Sequence, residues 1–300
     1  MNKEQLTALV AEILGQMEPQ VKAAAYHPAD VGPEKHTPNF HDGDFVPDIT
    51  QLDLRKLYLT EDPADRDRFA KMKAKTPARL GSGKAGPRYK TLTMLRFRAD
   101  HAAAQDSVFS EVDTEFAKKY DLLPTKTRCD SKDEYLTRPD LGRCFDEHNA
   151  KAIKGVIDTP PKVQIVVGDG LSSAAIETNA MDCLYALKDG LKARNIPTGK
   201  DIFVKYCRVG AGDAVGDIIG CELVAVLVGE RPGLVTDKSM SIYITYKPHT
   251  GVSESSRTVI SNIHAQGTPA AEAGAYAAEL IETILKRKVS GVGLHLEAAK

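Results

Sequence analysis

The chain has 300 residues, with 40 Lys plus Arg against 41 Asp plus Glu and a formal net charge of −1. That balance gives no whole-chain field toward nucleic acid or an anionic membrane, and no apolar run reaches the ~20 residues of a bilayer span. Five cysteines without a C-x-x-C pair read as reduced thiols, and the opening Met1-Asn-Lys-Glu-Gln carries no secretory cleavage pattern, so the expectation is an intracellular globular protein.

Leu6, Val10, Ile13, Leu14 and Met17 recur at helical spacing with Glu4, Glu12, Gln16 and Glu18 between them, which predicts an amphipathic helix over residues 1–18. Residues 19–48, with Pro19, Pro28, Pro33, Pro38 and Pro47, read as a linker. His27, His36 and His41 lie in it without a ligand pattern and are read as solvated side chains, not a metal site. The helix either folds back on the main body or lays its apolar face into a partner's groove.

Residues 49–160 are predicted to be mainly helical: a basic helix opened by Asp62-Pro63 and running through Lys75, a second with Leu92, Leu95, Ala99 and Ala103, a third with Phe145, Ile153 and Val156. Between the first two lies the glycine-rich basic loop Gly81-Ser-Gly-Lys84, which lacks the Gly-Lys-Ser/Thr ending of a P-loop. From residue 161 the pattern becomes α/β. Val163–Val167 reads as a buried strand, a helix follows to about Arg194, and strands are predicted at Asp201–Val209, Glu222–Val228 and Met240–Tyr246, the last as an edge. A helix opened by Thr268-Pro269 and ending in Lys286-Arg-Lys288 closes the chain. The expected fold is α/β, a mostly parallel Rossmann-like sheet flanked by helices, preceded by the helical segment and the N-terminal helix on its linker.

Gly168-Asp-Gly170, Gly210-Ala-Gly212 and Gly229-Glu-Arg-Pro-Gly233 follow three successive strands. Open α/β sheets bind ligands at that end, where glycines let backbone approach a bulky group. Gly210 to Gly216, with Glu230 about twenty residues on, offers a nicotinamide-dinucleotide reading. It is weakened by a segment of about two turns before Gly220 and by the polar Lys205, Tyr206 and Arg208. Ser172 and Ser173 fit a helix cap, Asp169 fits a turn, and no nucleophile, base and oxyanion set assembles, so neither a catalytic residue nor a metal ligand is assigned. A ligand face without a catalytic set is the pattern of a binding subunit.

Tyr135-Leu-Thr-Arg-Pro-Asp-Leu-Gly-Arg143, Val163-Gln-Ile-Val-Val-Gly-Asp-Gly-Leu-Ser172, Val228-Gly-Glu-Arg-Pro-Gly-Leu234 and Ile260-Ser-Asn-Ile-His-Ala-Gln-Gly-Thr-Pro269 resemble the small (light) subunit of ethanolamine ammonia-lyase. Gly83-Lys-Ala-Gly-Pro-Arg88 resembles it too, and the likeness runs from about Leu54 to Gly291. The resemblance implies an adenosylcobalamin-dependent lyase that converts ethanolamine to acetaldehyde and ammonia. In that family the large (heavy) subunit holds the substrate and the small subunit closes on the cofactor at the interface. It places the cobalamin contacts at Val209, Glu230 and Val259, with Val209 and Glu230 expected to end adjacent strands, and Val259 standing where some relatives have Cys. Arg208 and Arg231 are added here as neighbouring donors for amide carbonyls or the nucleotide phosphate. Asn262-x-His264-x-x-Gly267 lacks the carboxylate of a cobalt-ligating histidine motif, so His264 is read as structural or interfacial. The family's link to protein-shelled bacterial microcompartments makes residues 1–18 a candidate encapsulation tag toward shell proteins.

Overall fold

The computed structural model describes residues 48–57, 59–60, 64–156 and 159–294, and the chain divides into two units at Thr93/Met94. The predicted helix and linker over 1–47 lie outside the described residues, as does Asp62-Pro63. In the first unit, helix α1 (Arg66–Lys73) is capped by Asp65, whose side chain accepts from the Arg68 N–H at 2.9 Å. The glycine-rich basic loop forms a small antiparallel hairpin of β1 (Lys84–Ala85) and β2 (Arg88–Tyr89). Gly83 there has φ +70° and packs so closely that a Cβ would meet the Leu59 carbonyl oxygen at 2.5 Å.

The second unit begins within the first turn of α2 (Thr91–Phe109) and is α/β, with a six-stranded mixed sheet. Its elements are α3 (Phe116–Lys119), β3 (Leu123–Lys126), α4 (Lys132–Thr137), α5 (Glu147–Gly155), β4 (Val163–Gly168), α6 (Ser173–Ala175), a π turn (Ile176–Ala180) and α7 (Met181–Ala193). After these come β5 (Ile202–Lys205), α8 (Ala211–Ile219), β6 (Leu223–Gly229), β7 (Met240–Tyr246), β8 (Arg257–Ile263) and α9 (Ala270–Arg287). The strand order is β3-β5-β4-β6-β7-β8, with β3, β5, β4 and β6 mutually parallel, β7 antiparallel to β6, and β8 antiparallel to β7.

Strands β4 and β6 are buried along their whole length because helices cover both faces, which is why their sequences read as continuous apolar runs. Leu223, Ala225 and Leu227 pack with α7 and α9, while Val224, Val226 and Val228 pack with α5 and α8. This two-residue alternation sets the face of everything beyond the strand end.

Three expectations are corrected. Met240–Tyr246 is not an edge: it pairs with β6 on one side and with β8, unpredicted, on the other. The strand expected over Asp201–Val209 stops at Lys205, because Tyr206 takes φ +58° and the Cys207 and Arg208 N–H groups turn to the carbonyls of Asp169 and Gly142. Val209 and Glu230 do not end adjacent strands, since β4 lies between β5 and β6. The chain leaves β4 for a helix on one face and its neighbour β5 for a helix on the other, which opens a crevice at the carboxyl ends of β4 and β5. Beyond the sheet, α3 and α4 are further unpredicted elements, and β3 is a short edge strand that contains Pro124, tolerated where one side of the ladder is unpaired.

Candidate functional site

At that end of the sheet a cavity of about 560 Å³ brings together Arg208, Val209, Glu230, Arg231 and Val259, all five of the residues singled out in the sequence. It lies on the face of Val226 and Val228. Glu230 continues that alternation past β6, and Tyr243 on β7 pairs with both Val226 and Val259, so one surface runs across three strands.

Glu230 is half-buried and its carboxylate is held on both oxygens. Ser239 Oγ donates to Oε2 at 2.6 Å, while Ser241 Oγ and the Asn262 N–H, the latter at 3.2 Å, donate to Oε1. Asn262 presents its N–H from a left-handed backbone, φ +62°. His264 steadies that turn: its Nδ1 accepts from the Gln266 N–H at 3.2 Å, which leaves Nε2 to donate to Asn262 Oδ1 at 2.8 Å. Both ring nitrogens are thus engaged within the turn.

Arg208 and Val209 sit on the loop after β5. Tyr135, on α4, is 1% exposed and donates its hydroxyl to the Cys207 carbonyl at 3.1 Å. Arg208 Nη2 returns a bond to the Tyr135 carbonyl at 2.7 Å, and its guanidinium lies over the Tyr135 ring, 4.3 Å from the centroid. Gly142 admits this arginine, because a Cβ there would stand 2.8 Å from Arg208 Cγ. Arg208 Nε is buried without a hydrogen-bond partner. No carboxylate among the described residues forms an ion pair with Arg208 or Arg231.

Beneath the cavity, Asp169 is fully buried and accepts from Ser173 Oγ at 2.7 Å and the Val112 N–H at 3.2 Å; burial pushes its carboxyl above the ordinary range. Lys132, also buried, donates to the Gly170 carbonyl at 3.2 Å, and burial pulls its ammonium down. Both groups brace the β4 loop from below. Ser172 caps α6 as predicted and also donates to the Asp237 carbonyl at 2.5 Å, while Asn179, in the π turn, donates to the Lys238 carbonyl at 2.8 Å. These bonds anchor the loop that carries Arg231.

The nicotinamide reading finds its glycines already occupied. A Cβ on Gly212 would meet Val226 Cγ2 at 2.4 Å, and one on Gly216 would meet the Pro248 carbonyl at 2.5 Å, so both serve helix packing. Helix α8 spans nine residues and is stopped by Gly220 at φ +70°. Sequence reasoning missed Tyr135, Ser239, Ser241 and Tyr243. The only trace of the last three is the alternation along β7, which acquires meaning once its register against β6 is known.

A sequence model of the family described as ethanolamine ammonia-lyase light chain (EutC) matches residues 66–295. The chain is 55% identical over 294 residues to an ethanolamine ammonia-lyase small subunit of Clostridium perfringens, covering 98% of this chain and 100% of that one. It is 54% identical over 295 residues to that of Clostridioides difficile, with coverage of 98% and 100%. Against the Listeria monocytogenes protein of the same name the identity is 57% over 249 residues, 83% of this chain and 85% of the other.

Proposed function

The chain belongs to the ethanolamine ammonia-lyase light-chain family, and from that premise we propose that it is the cofactor-clasping subunit of an adenosylcobalamin-dependent lyase acting on ethanolamine. Its partner is the large subunit, which holds the substrate, and this chain supplies no catalytic group and is inactive alone. The observation that carries the reading is the convergence of Arg208, Val209, Glu230, Arg231 and Val259 on one cavity at the carboxyl ends of the strands.

The lining suits the cofactor. Val209, Val228 and Val259 offer an apolar wall to a macrocycle, while Glu230 offers an acceptor and the two arginines offer donors to its amide-bearing rim. A corrinoid is larger than about 560 Å³, so this chain covers one edge and the large subunit covers the rest. When bound, adenosylcobalamin supplies a cobalt–carbon bond whose homolysis starts the radical rearrangement to acetaldehyde and ammonia. The chain's own residues bind, orient and exclude solvent. Glu230, fixed by two serines and a backbone N–H, keeps one orientation, and Tyr135 holds the loop of Arg208 and Val209 against it.

Residues 1–18 belong to the same proposal as a tag that carries the enzyme into a microcompartment; deleting them should spare turnover and release the enzyme from the shell fraction. The central experiment mixes the chain with its large subunit, adenosylcobalamin and ethanolamine. Acetaldehyde should form only with both subunits, and Glu230→Ala should weaken cofactor binding by about tenfold or more, measured calorimetrically. Equal turnover by the large subunit alone, or unchanged affinity in the variant, would sink the reading.

A further inference from the structure

Glu230 combines two properties that rarely coexist in a loose surface contact. It faces a ligand cavity, yet its carboxylate already accepts three hydrogen bonds, two on Oε1 and one on Oε2. A carboxylate has about four acceptor sites, so about one lone pair, on Oε2, is left for a ligand. The groups around it are committed as donors to the carboxylate itself. The Ser239 and Ser241 hydroxyls point at it, and the Asn262 N–H is fixed there by the left-handed backbone and by His264. Neither Arg208 nor Arg231, which line the same cavity, pairs with it. What remains at Glu230 is therefore a carboxylate with one vacant acceptor direction on Oε2, its three hydrogen-bonded donors already committed to it, while Arg208 and Arg231 keep their donors for other groups of the ligand.

A ligand group placed there must be neutral or positive and must carry an N–H or O–H. Resting on the assignment of this cavity to the cobalamin rim, we propose that Glu230 is a specificity-determining residue that admits a peripheral carboxamide of the corrinoid and rejects the corresponding carboxylate. The carboxamide gives its N–H to Oε2. A carboxylate at the same point brings two like charges into contact and leaves both without a proton between them. The three donors make the discrimination sharp, because they prevent the Glu230 side chain from turning away. Asn262 and His264 are positioning residues in this account, which gives the Asn-x-His segment a role distinct from cobalt ligation.

The test uses the two-subunit enzyme and equilibrium binding followed by corrinoid absorbance near neutral pH, without turnover. The probes are cyanocobalamin and the set of its monocarboxylic acids in which each peripheral amide is hydrolysed in turn. At least one acid should bind about tenfold or more weakly than cyanocobalamin in the wild type, a difference of about 1.4 kcal/mol. The N-methylamide made from that same acid, neutral and with one N–H, should bind within about threefold of cyanocobalamin. In Glu230→Gln, whose amide can both donate and accept, the penalty on that acid should fall to about threefold or less. If no acid is penalised in the wild type, or if the penalty persists unchanged in Glu230→Gln, the inference is overturned. Where the variant does not assemble, a wild-type series in which no acid is penalised still overturns the inference. A Glu230→Ala enzyme that binds cyanocobalamin more weakly, alongside acids that are not discriminated, would retain the cavity assignment and discard amide selection. Unchanged cyanocobalamin binding in Glu230→Ala would discard both.

Discussion

Replacing Tyr135 by Phe deletes one oxygen and one hydrogen bond from beneath the cavity. The hydroxyl donates to the Cys207 carbonyl at 3.1 Å, the one bond that carbonyl receives among the described residues, and both residues are buried, at 1% and 0% exposure. A buried hydrogen bond contributes about 1 kcal/mol net, and stranding its acceptor costs about 1–3 kcal/mol, so Tyr135→Phe should lose about 2 kcal/mol. For a unit of about 200 residues each kcal/mol moves Tm by about 2–4 °C, which gives a fall of about 4–8 °C. The ring stays, and with it the stack on Tyr206 at 6.0 Å and the guanidinium of Arg208 at 4.3 Å. Thermal melting of the purified chain measures the stability term, and corrinoid titration of the two-subunit enzyme measures the cavity, with a loss of about threefold to tenfold expected as the Cys207–Val209 loop relaxes. A melting point within 1 °C of wild type would refute the accounting. A lower melting point with unaltered corrinoid affinity would show that the bond supports the fold without setting the site.

Gly229→Ala places a Cβ 2.1 Å from the Ser172 carbonyl oxygen, backbone that cannot step aside, so soluble yield and melting temperature should collapse; a near-normal melt would contradict the close approach of the β4 and β6 loops. Arg257→Ala strands Asp213, whose side chain is 6% exposed and bound on both oxygens by that guanidinium; a loss of about 3–5 kcal/mol is expected in urea unfolding, and a loss under 1 kcal/mol would refute it. Glu111 is held below the ordinary glutamate value of 4.5, first by its bond to Lys205 and then by Tyr206. A depressed carboxylate contributes stability above its unfolded value and loses it as pH falls through the lowered folded value. Glu111→Gln should therefore flatten the acid limb of the stability–pH profile below about 4.5. With both side chains about a third exposed the effect is small, and strictly parallel profiles would show that the pair contributes nothing.

The parts of this protein legible in the sequence are those whose cause is local. Val163–Val167 reads as a buried strand because helices cover both its faces, and each such run ends in glycines because the loops beyond it approach one another at backbone distance. Ser172 reads as a cap because a hydroxyl before a helix has one nearby N–H to satisfy. Family motifs placed Val209, Glu230 and Val259 on the same list, and Arg208 and Arg231 followed as their neighbours.

Strand order, register and the bend at Tyr206 were not legible, since each depends on partners far along the chain. β3 is four residues with a proline, and β8 carries the exposed Ser261 and Asn262 because an edge needs burial on only part of its surface. Neither carries a periodic signal strong enough to stand alone. That β4 divides Val209 from Glu230 follows from which face each crossover helix covers. The lock on Glu230 is the clearest case: the Glu, the two serines and Asn262 are ordinary polar residues until the antiparallel pairing of β6, β7 and β8 sets three donors around one carboxylate.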